Sequence, residues 1–245
     1  MLSHKILTRQ SVGRVANYYG DGADDYYAKD GKAHQWQGRG AEALGLSGAV
    51  DDERFRELLA GRVDGRTPGS RGATRQDSHT RIGLDLTFSA PKSVSLQALV
   101  HGDAGIVAAH DRAVARALEH AEERAQARQK TAGKTRIETT GNLIMAKFRH
   151  ETSREQDPQL HTHAVVMNLT RRADGQWRAL KNDEIVKTTR YLGAVYNAEL
   201  AAELQKLGYQ LRHERDGNFE LAHISRTQLE GFSRRSGQIA ERLAQ

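Results

Sequence analysis

The chain has no cysteine among its 245 residues. Disulfide bonds, thiolate zinc sites and a cysteine nucleophile are therefore excluded, and nothing in the sequence indicates an oxidising compartment. No apolar run approaches the roughly 20 residues that a membrane-spanning helix needs, and the N-terminus lacks the apolar core of a signal peptide. A Walker A motif is also missing, so we expect no ATP hydrolysis. These absences predict a soluble, intracellular protein without membrane insertion.

The charge balance of the chain is basic. Its 37 Lys and Arg residues outnumber its 31 Asp and Glu residues, which gives a formal net charge of +6. An excess of positive charge favours a polyanionic partner such as nucleic acid. The length suits one large or two small domains with a substantial core. Charge alone would also fit a DNA-binding protein without enzymatic activity, so the motifs have to decide the function.

Three histidines form the most informative pattern. His161 and His163 alternate in the segment His-Thr-His-Ala-Val-Val-Met, which is typical of a β-strand and puts both side chains on one face. His150 follows the apolar stretch 143–148, and a hairpin would bring it beside the other two. Three neutral imidazoles suit a divalent cation that keeps open positions for a substrate, with Mg, Mn, Zn and Ni all compatible. Three histidines that are hydrogen-bonded within a sheet, without a metal, are the alternative.

Two tyrosine doublets lie near the N-terminus, Tyr18-Tyr19 and Tyr26-Tyr27. Two glycines and three aspartates separate them, which predicts a polar loop rather than a core element. Packing could explain one doublet, since tyrosine is often half-buried. A loop tyrosine can also act as a nucleophile if a metal or a base helps to remove its proton, which has an ordinary pKa of about 10.

Asp85 lies in a predicted strand, where Leu84, Leu86 and Phe88 alternate with Gly83, Asp85 and Thr87. The apolar set is expected to face the core, which puts Asp85 on the opposite face. The strand ends before Pro91, a residue suited to the first turn of a helix. Asp85 is then a solvated surface residue, a proton acceptor, or a group that orients a histidine.

Basic residues gather in the segment Arg62 to Arg81, which has five arginines and cannot form a core. It is either a solvated loop or a β-ribbon or arm that grips DNA, and we favour the arm because a two-stranded ribbon fits the major groove and arginine reads guanine there. A second basic group follows residue 170. The DNA contacts that we predict are Arg71, Arg75, Arg81, Arg154, Arg172, Arg178 and Lys181.

Hydrophobic periodicity and turn signals predict an α+β fold in which helices cover an antiparallel β-sheet. The predicted elements are a strand over Leu2–Leu7, helices from Ser11 to the first tyrosine doublet, over Asp51–Leu59, after Asp103 and over Asp183–Leu207, hairpins at Asp174-Gly175 and Asp216-Gly217, and a last helix opened by the capping-box pattern Ser225-Arg-Thr-Gln228.

Several long motifs run along the chain: the opening Met1 to Leu7, the tyrosine doublets, Gly83 to Ser95, Lys147 to Arg154 and Gln159 to Ala164. Together they resemble the N-terminal relaxase domain of the TraI-like (MobF-type) conjugative relaxases of the HUH endonuclease superfamily. The resemblance implies a palm domain over 1–224, which contains the catalytic site and in which helices flank an antiparallel β-sheet. It also implies that residues 225–245 are the truncated start of a C-terminal helical finger. The family pattern has a bulky apolar residue between the paired histidines. This chain has Thr162, whose side chain is expected on the other face of the sheet.

The resemblance also implies an activity, namely metal-assisted nicking of single-stranded DNA at a transfer origin. Tyr18, with Tyr19 as substitute, would form a 5′-phosphotyrosyl link, and Tyr26 or Tyr27 would act in a later strand transfer. His150, His161 and His163 would hold one divalent metal, and Asp85 would support the tyrosine and histidine site.

Implied partners and location follow from the same family. They are origin DNA with an adjacent hairpin, conjugation accessory and type IV secretion components, a monomeric state, the bacterial cytoplasm, and transfer with the DNA into the recipient cell. A rolling-circle replication initiator of the same superfamily is the alternative within this chemistry. A metallo-hydrolase that uses metal-bound water is a second alternative, but it leaves the tyrosines without a role and would need a motif such as His-Glu-x-x-His, which is missing.

Overall fold

A computed structural model describes residues 1–11, 34–68, 80–131, 133–153, 156–214 and 217–232 of the chain. Its strands are β1 (Leu2–Thr8), β2 (His34–Gln37), β3 (Arg81–Ser89), β4 (Gln126–Thr131), β5 (Lys134–Thr139), β6 (Met145–Thr152), β7 (Pro158–Met167), β8 (Thr170–Arg171), β9 (Trp177–Arg178), β10 (Leu180–Lys181), β11 (Leu211–His213) and β12 (Phe219–Leu221). Its helices are α1 (Arg39–Glu42), α2 (Asp52–Leu59), α3 (Lys92–Leu99), α4 (Ala104–Glu122), α5 (Asp183–Lys187), α6 (Thr189–Lys206) and α7 (Arg226–Gly231), and Arg9–Ser11 form a short 3-10 turn.

A five-stranded sheet forms the centre of the molecule. Its strand order is β1-β3-β7-β6-β2, and every neighbouring pair is antiparallel. The predicted α+β fold with an antiparallel sheet is therefore confirmed. The sheet carries a crossover because β3 and β7 are neighbours in space but are far apart in sequence. The region between them supplies the two helices α3 and α4 and the hairpin of β4 with β5.

Two apolar layers cover this sheet. On the face that we call the back, Leu84, Leu86 and Phe88 pack in one cluster with residues of α4 and α6. On the opposite, front face, Phe148 and Val165 pack in a second cluster that includes Phe55 of α2. Because alternate residues of a strand point to opposite faces, the strands β3, β6 and β7 contribute apolar side chains to both layers. Among the described residues, the end of the sheet near His150 carries polar side chains on this face.

The predicted elements with local signals are confirmed. Asp51 caps α2 by accepting a hydrogen bond from the backbone N–H of Arg54 at 2.8 Å. Asp103 caps α4 in the same way through Gly105 N–H at 2.8 Å. Strands β8 and β9 pair around Asp174-Gly175, and β11 pairs with β12 around the second Asp-Gly turn, of which Asp216 lies outside the described residues. Side-chain acceptors at a helix start satisfy backbone donors that otherwise have no partner.

The single helix predicted over Asp183–Leu207 is wrong. Helix α5 ends at Lys187 and α6 begins at Thr189, with Thr188 between them at φ −94° and ψ 11°. The hydroxyl of Thr188 donates to the carbonyl oxygen of Glu184 at 2.7 Å, and the hydroxyl of Thr189 donates to that of Val186 at 2.7 Å. Threonine side chains that bond to carbonyls of the preceding turn bend or interrupt a helix, and two in succession do so here.

Of the helices predicted near the two ends of the chain, only part lies within the described residues. Helix α7 starts with the predicted capping box between Ser225 and Gln228, in which each residue bonds the other's backbone N–H. Its continuation over 233–245 lies outside the described residues, as does the helix predicted between Ser11 and the first tyrosine doublet. None of the described helices is long and apolar enough to cross a membrane.

Candidate active site and nucleic-acid interface

The hairpin of β6 and β7 brings the three predicted histidines together. His150 lies directly opposite His161, and His163 lies opposite Phe148 on β6 and Thr87 on β3. Directly paired residues share a face of an antiparallel sheet, and so do residues two apart on a strand. All three imidazoles therefore project from the front face, at the end of the sheet beyond the apolar side chains that the described residues place there.

The ring spacings fit imidazoles that share a cation. The centroids are 5.2 Å apart for His150 and His161, 5.5 Å for His150 and His163, and 5.2 Å for His161 and His163. Three imidazoles bound tetrahedrally to one metal at about 2 Å would have centroids roughly 5 Å apart. The observed spacings are close to this value, although no group of three or more His, Cys, Asp or Glu side chains among the described residues is already arranged as a metal site. The donor chemistry and the spacing of the rings therefore fit a metal.

Hydrogen bonds fix which ring nitrogen faces outward. His161 Nδ1 lies 3.0 Å from the carbonyl oxygen of Gln159, and a carbonyl can only accept, so Nδ1 carries the proton. His163 Nδ1 lies 2.9 Å and 3.1 Å from the two carboxylate oxygens of Asp85, to which it donates. In a neutral imidazole the other nitrogen, Nε2, then carries the lone pair. Two of the three histidines are therefore held in the tautomer that a metal needs.

Asp85 lies on the predicted face, but it is not a solvated residue. It is 4% exposed and sits beneath His163, where Thr87 also donates its hydroxyl to Asp85 at 3.4 Å. Of the three roles considered for Asp85, this geometry supports the one that orients a histidine. The Thr162 side chain points to the back face, as predicted, and bonds there to His110.

Arg81 and the second basic group are held by internal partners. The Arg81 guanidinium donates to Asn182 Oδ1 and the Leu180 carbonyl, both at 2.5 Å, and to Asn168 Oδ1 at 3.3 Å. Burial lowers the pKa of Arg81 from its ordinary value. This side chain ties β3 to the chain beyond β7. In the second group, the partners are Glu138 at 2.8 Å for Arg172, the Trp177 carbonyl at 2.8 Å for Arg178 and Asp183 at 2.8 Å for Lys181.

A basic ribbon that the sequence analysis missed is formed by β4 and β5. Arg128 and Lys130 on β4 and Lys134 and Arg136 on β5 all face solvent. The two strands pair in register from Gln126 opposite Thr139 outward, and β10 flanks β4. The sequence signal for this ribbon is a group of four cations in the span 128–136 around an Ala-Gly pair. The span lacks the alternation of apolar residues from which strands are predicted.

Several predicted site residues lie outside the described residues. They are the tyrosines Tyr18, Tyr19, Tyr26 and Tyr27 and the arginines Arg71, Arg75 and Arg154.

The chain is similar to known proteins of one family. The family model described as TrwC relaxase matches residues 12–245. The multifunctional conjugation protein TraI of Escherichia coli is 41% identical over 250 residues, which are 98% of this chain and 14% of TraI. TraI of Escherichia coli strain K12 is 41% identical over 245 residues, 96% of this chain and again 14% of the relative. The chain thus spans about one seventh of the length of these curated relatives.

Solved structures give the same result. TrwC complexed with a 27-mer DNA that comprises the recognition hairpin and the cleavage site is 71% identical, with a TM-score of 0.90 over 100% of this chain and 82% of that one. The metal-bound structure of the conjugative relaxase TrwC in complex with oriT DNA is 74% identical, with a TM-score of 0.92 over 100% of this chain and 83% of that one. A copper-bound TrwC complex with oriT DNA is 76% identical, with a TM-score of 0.92 over 98% and 82% of the two chains.

Proposed function

Because the chain belongs to the TrwC relaxase family, we propose that it is a conjugative relaxase, which nicks and rejoins one DNA strand at a transfer origin. The observation that carries this proposal is the histidine cluster: three imidazoles within 5.5 Å of one another, with His163 oriented by a buried carboxylate. The TrwC structures with a DNA cleavage site and with a bound metal support the same reading.

The proposed cofactor is one divalent cation held by His150, His161 and His163. When bound, a cation at this place neutralises charge on the scissile phosphate as the transition state forms. Three protein ligands leave room for phosphate oxygens, unlike a closed structural site. Mg, Mn, Zn and Ni all remain compatible with imidazole ligands, and a similar TrwC complex was solved with copper. Asp85 keeps His163 in the tautomer that presents Nε2.

The proposed reaction is a transesterification by tyrosine. The phenolic oxygen of Tyr18 attacks phosphorus, the bond from phosphorus to the 3′ oxygen breaks, and the phenolic proton ends on that oxygen. One phosphoester bond replaces another, so the energy of the linkage is kept in the 5′-phosphotyrosyl intermediate and rejoining needs no ATP. Tyr26 would attack a second strand at the end of transfer, and Tyr19 or Tyr27 could substitute. These assignments rest on the sequence and on the family.

The proposed substrate is single-stranded DNA with a hairpin beside the cleavage site. The exposed ribbon of β4 and β5 suits the hairpin stem, because a two-stranded β-ribbon fits the major groove and its cations reach phosphates and guanines. Arg128 and Lys130 lead this group. Arg75 remains the predicted base-reading residue of the arm, whereas we now assign Arg81 to the scaffold because three internal acceptors engage its guanidinium.

The cellular setting is proposed from the family. We expect a bacterial cytoplasmic monomer that works with conjugation accessory and type IV secretion components and travels with the DNA, and in which residues 225–245 begin a finger subdomain. A rolling-circle initiator would use the same chemistry, but the relatives found are conjugation proteins, and no observation favours that alternative. A metallo-hydrolase would leave a free 5′ phosphate instead of a protein link.

A cleavage assay tests the proposal. The substrate is a 5′-labelled single strand that carries the hairpin and cleavage site of the TrwC complexes. We expect a shorter labelled product with a free 3′-hydroxyl, which a DNA polymerase can extend on a complementary template. A chelator should abolish the product, and His161→Ala should do the same. A product that forms equally with the chelator, or that the polymerase cannot extend, would contradict the proposed chemistry.

A further inference from the structure

A chain of three polar side chains crosses the back layer of the sheet. Thr162 Oγ1 lies 2.9 Å from His110 Nε2, and His110 Nδ1 lies 2.8 Å from the hydroxyl of Tyr196. Thr162 is 2% exposed, and the other two residues are completely buried. We call these three residues the buried polar network. Buried polar groups carry a desolvation cost, so such a network in an apolar layer calls for an explanation.

The position of Thr162 supplies one. This residue lies between His161 and His163 on β7, and its side chain leaves the strand on the opposite face. On the sheet, Thr162 is paired with Phe88 of β3 and with Arg149 of β6, so it sits at the centre of the three strands that build the site. Its partners His110 and Tyr196 belong to α4 and α6. The network therefore ties the one residue between two candidate metal ligands to α4 and α6 of the back layer.

A neutral His110 can hydrogen-bond to Thr162 and to Tyr196 at the same time. Burial, with the cationic Arg149 nearby, lowers the pKa of His110 to about 3, so the ring is neutral near pH 7. A neutral imidazole has one donor and one acceptor nitrogen, and a hydroxyl on each side can complement either one. Loss of the Thr162 hydroxyl leaves a buried ring nitrogen without this partner, and a serine in its place keeps the bond.

We propose that the buried polar network positions the metal-binding segment of β7, so that His161 and His163 present their Nε2 atoms to one cation. The inference rests on the metal site of the proposed function. A rotation of β7 about its axis would swing the two imidazoles together, since both point to the front face. Asp85 and the Gln159 carbonyl restrain the rings from the front. The network restrains the same strand from the back, at Thr162 between those two histidines. Thr162, His110 and Tyr196 are thus positioning residues rather than catalytic ones.

The test compares metal affinity with folding stability. Untagged wild type, Thr162→Val, Thr162→Ser and Thr170→Val are titrated with Zn²⁺ by calorimetry, and the melting temperature is measured without metal. Thr170 is the matched control because it is a completely buried threonine whose hydroxyl donates to the Asn142 carbonyl at 2.8 Å. A group that is hydrogen-bonded directly to a ligating histidine is worth roughly 10- to 100-fold in affinity, and Thr162 acts less directly, through the strand that carries His161 and His163, so the lower end of that range applies. We expect Thr162→Val to bind Zn²⁺ about tenfold more weakly and Thr162→Ser within about twofold of wild type.

The control separates positioning from general loss of stability. Thr170→Val should lose thermal stability much as Thr162→Val does, but it should keep the wild-type Zn²⁺ affinity. The inference is overturned if a folded Thr162→Val binds Zn²⁺ like wild type, or if both valine variants weaken binding alike. If Thr162→Val does not fold, Tyr196→Phe decides, since it removes only the hydroxyl at the far end: weaker Zn²⁺ binding is expected, and unchanged binding overturns the inference. A wild type that binds no Zn²⁺, Ni²⁺ or Mn²⁺ would instead refute the metal site itself.

Discussion

Replacement of Asp85 by asparagine is the substitution whose effect the site geometry specifies most fully. The wild-type carboxylate accepts the Nδ1 proton of His163 at 2.9 Å and is 4% exposed. Asp85→Asn keeps the shape of the side chain and removes its charge. The new amide group can also turn its NH₂ toward Nδ1, which would favour the tautomer that carries the proton on Nε2. With the proton on Nε2, His163 cannot bind a metal through that nitrogen.

The expected magnitude follows from two routes. Loss of a partner that orients a ligating histidine typically costs 10- to 100-fold in metal affinity, or about 1.4 to 2.7 kcal/mol. A hydrogen bond to a charged group contributes about 1.5 to 3 kcal/mol and one between neutral groups about 1 kcal/mol, so their difference is roughly 0.5 to 2 kcal/mol. Both ranges include a loss of about tenfold for Asp85→Asn, since 1.4 kcal/mol corresponds to a factor of ten.

Calorimetric titration of untagged protein with Zn²⁺ measures this loss. Glu122→Gln is the matched control because Glu122 is also 4% exposed and accepts hydrogen bonds, from Leu143 N–H at 2.7 Å and Arg39 N–H at 2.8 Å, away from the histidines. The control should lose stability and keep its metal affinity. Wild-type affinity in a folded Asp85→Asn would show that Asp85 does not orient His163, and equal losses in both variants would show a general effect of removing a buried charge.

Other variants test separate parts of the account. His161→Ala should weaken metal binding and cleavage far more than it lowers the melting temperature, because its ring faces the site; a normal cleavage rate would exclude it as a ligand. Tyr18→Phe should bind hairpin DNA like wild type by fluorescence anisotropy and lose most of its nicking, whereas normal nicking would move the nucleophile to another tyrosine. Arg128→Ala should weaken hairpin binding and, for one lost phosphate contact, flatten the salt dependence of log affinity by about 0.9; an unchanged slope and affinity would remove the ribbon from the interface. Acid should destabilise the fold through His110. Its pKa is about 3 in the folded protein and the ordinary 6.5 in the unfolded chain, so the unfolded chain takes up the proton first as the pH falls. The free energy of unfolding should therefore decrease below about pH 6.5, by at most about 1.4 kcal/mol per pH unit from this residue. Urea unfolding at pH 7 and pH 5 should show a smaller change for His110→Gln than for wild type, and equal changes would contradict the linkage.

The histidine cluster could be predicted from the sequence because its geometry is local. Two histidines at a spacing of two share a strand face whatever the rest of the fold, and a hairpin pairs His150 with His161. The caps at Asp51 and Asp103 are local for the same reason. The contact between Asp85 and His163 joins residues 78 positions apart, so only the predicted strand faces hinted at it.

The remaining features depend on contacts that a sequence does not specify. The acceptors of Arg81 lie 87 to 101 positions away in the chain, so its sequence neighbours do not reveal that its guanidinium is engaged within the protein. The partners of Thr162 are likewise distant, with His110 lying 52 positions before it. Helical periodicity over 183–207 concealed the break at Thr188, since hydroxyl bonds to the preceding turn leave the apolar pattern unchanged. Charged strands such as β4 and β5 lack the apolar alternation by which strands are recognised.

Mapping the covalent intermediate tests the central claim most directly. The protein is incubated with Mn²⁺ and a single strand that carries the hairpin and cleavage site and a fluorescent label on its 3′ end. The account predicts a labelled protein band that survives denaturation, is absent with chelator, and yields on digestion a peptide with a nucleotide on Tyr18. Cleavage without any protein-linked product would contradict the account and favour hydrolysis by metal-bound water. A link to a residue other than the four tyrosines of the N-terminal doublets would contradict it as well.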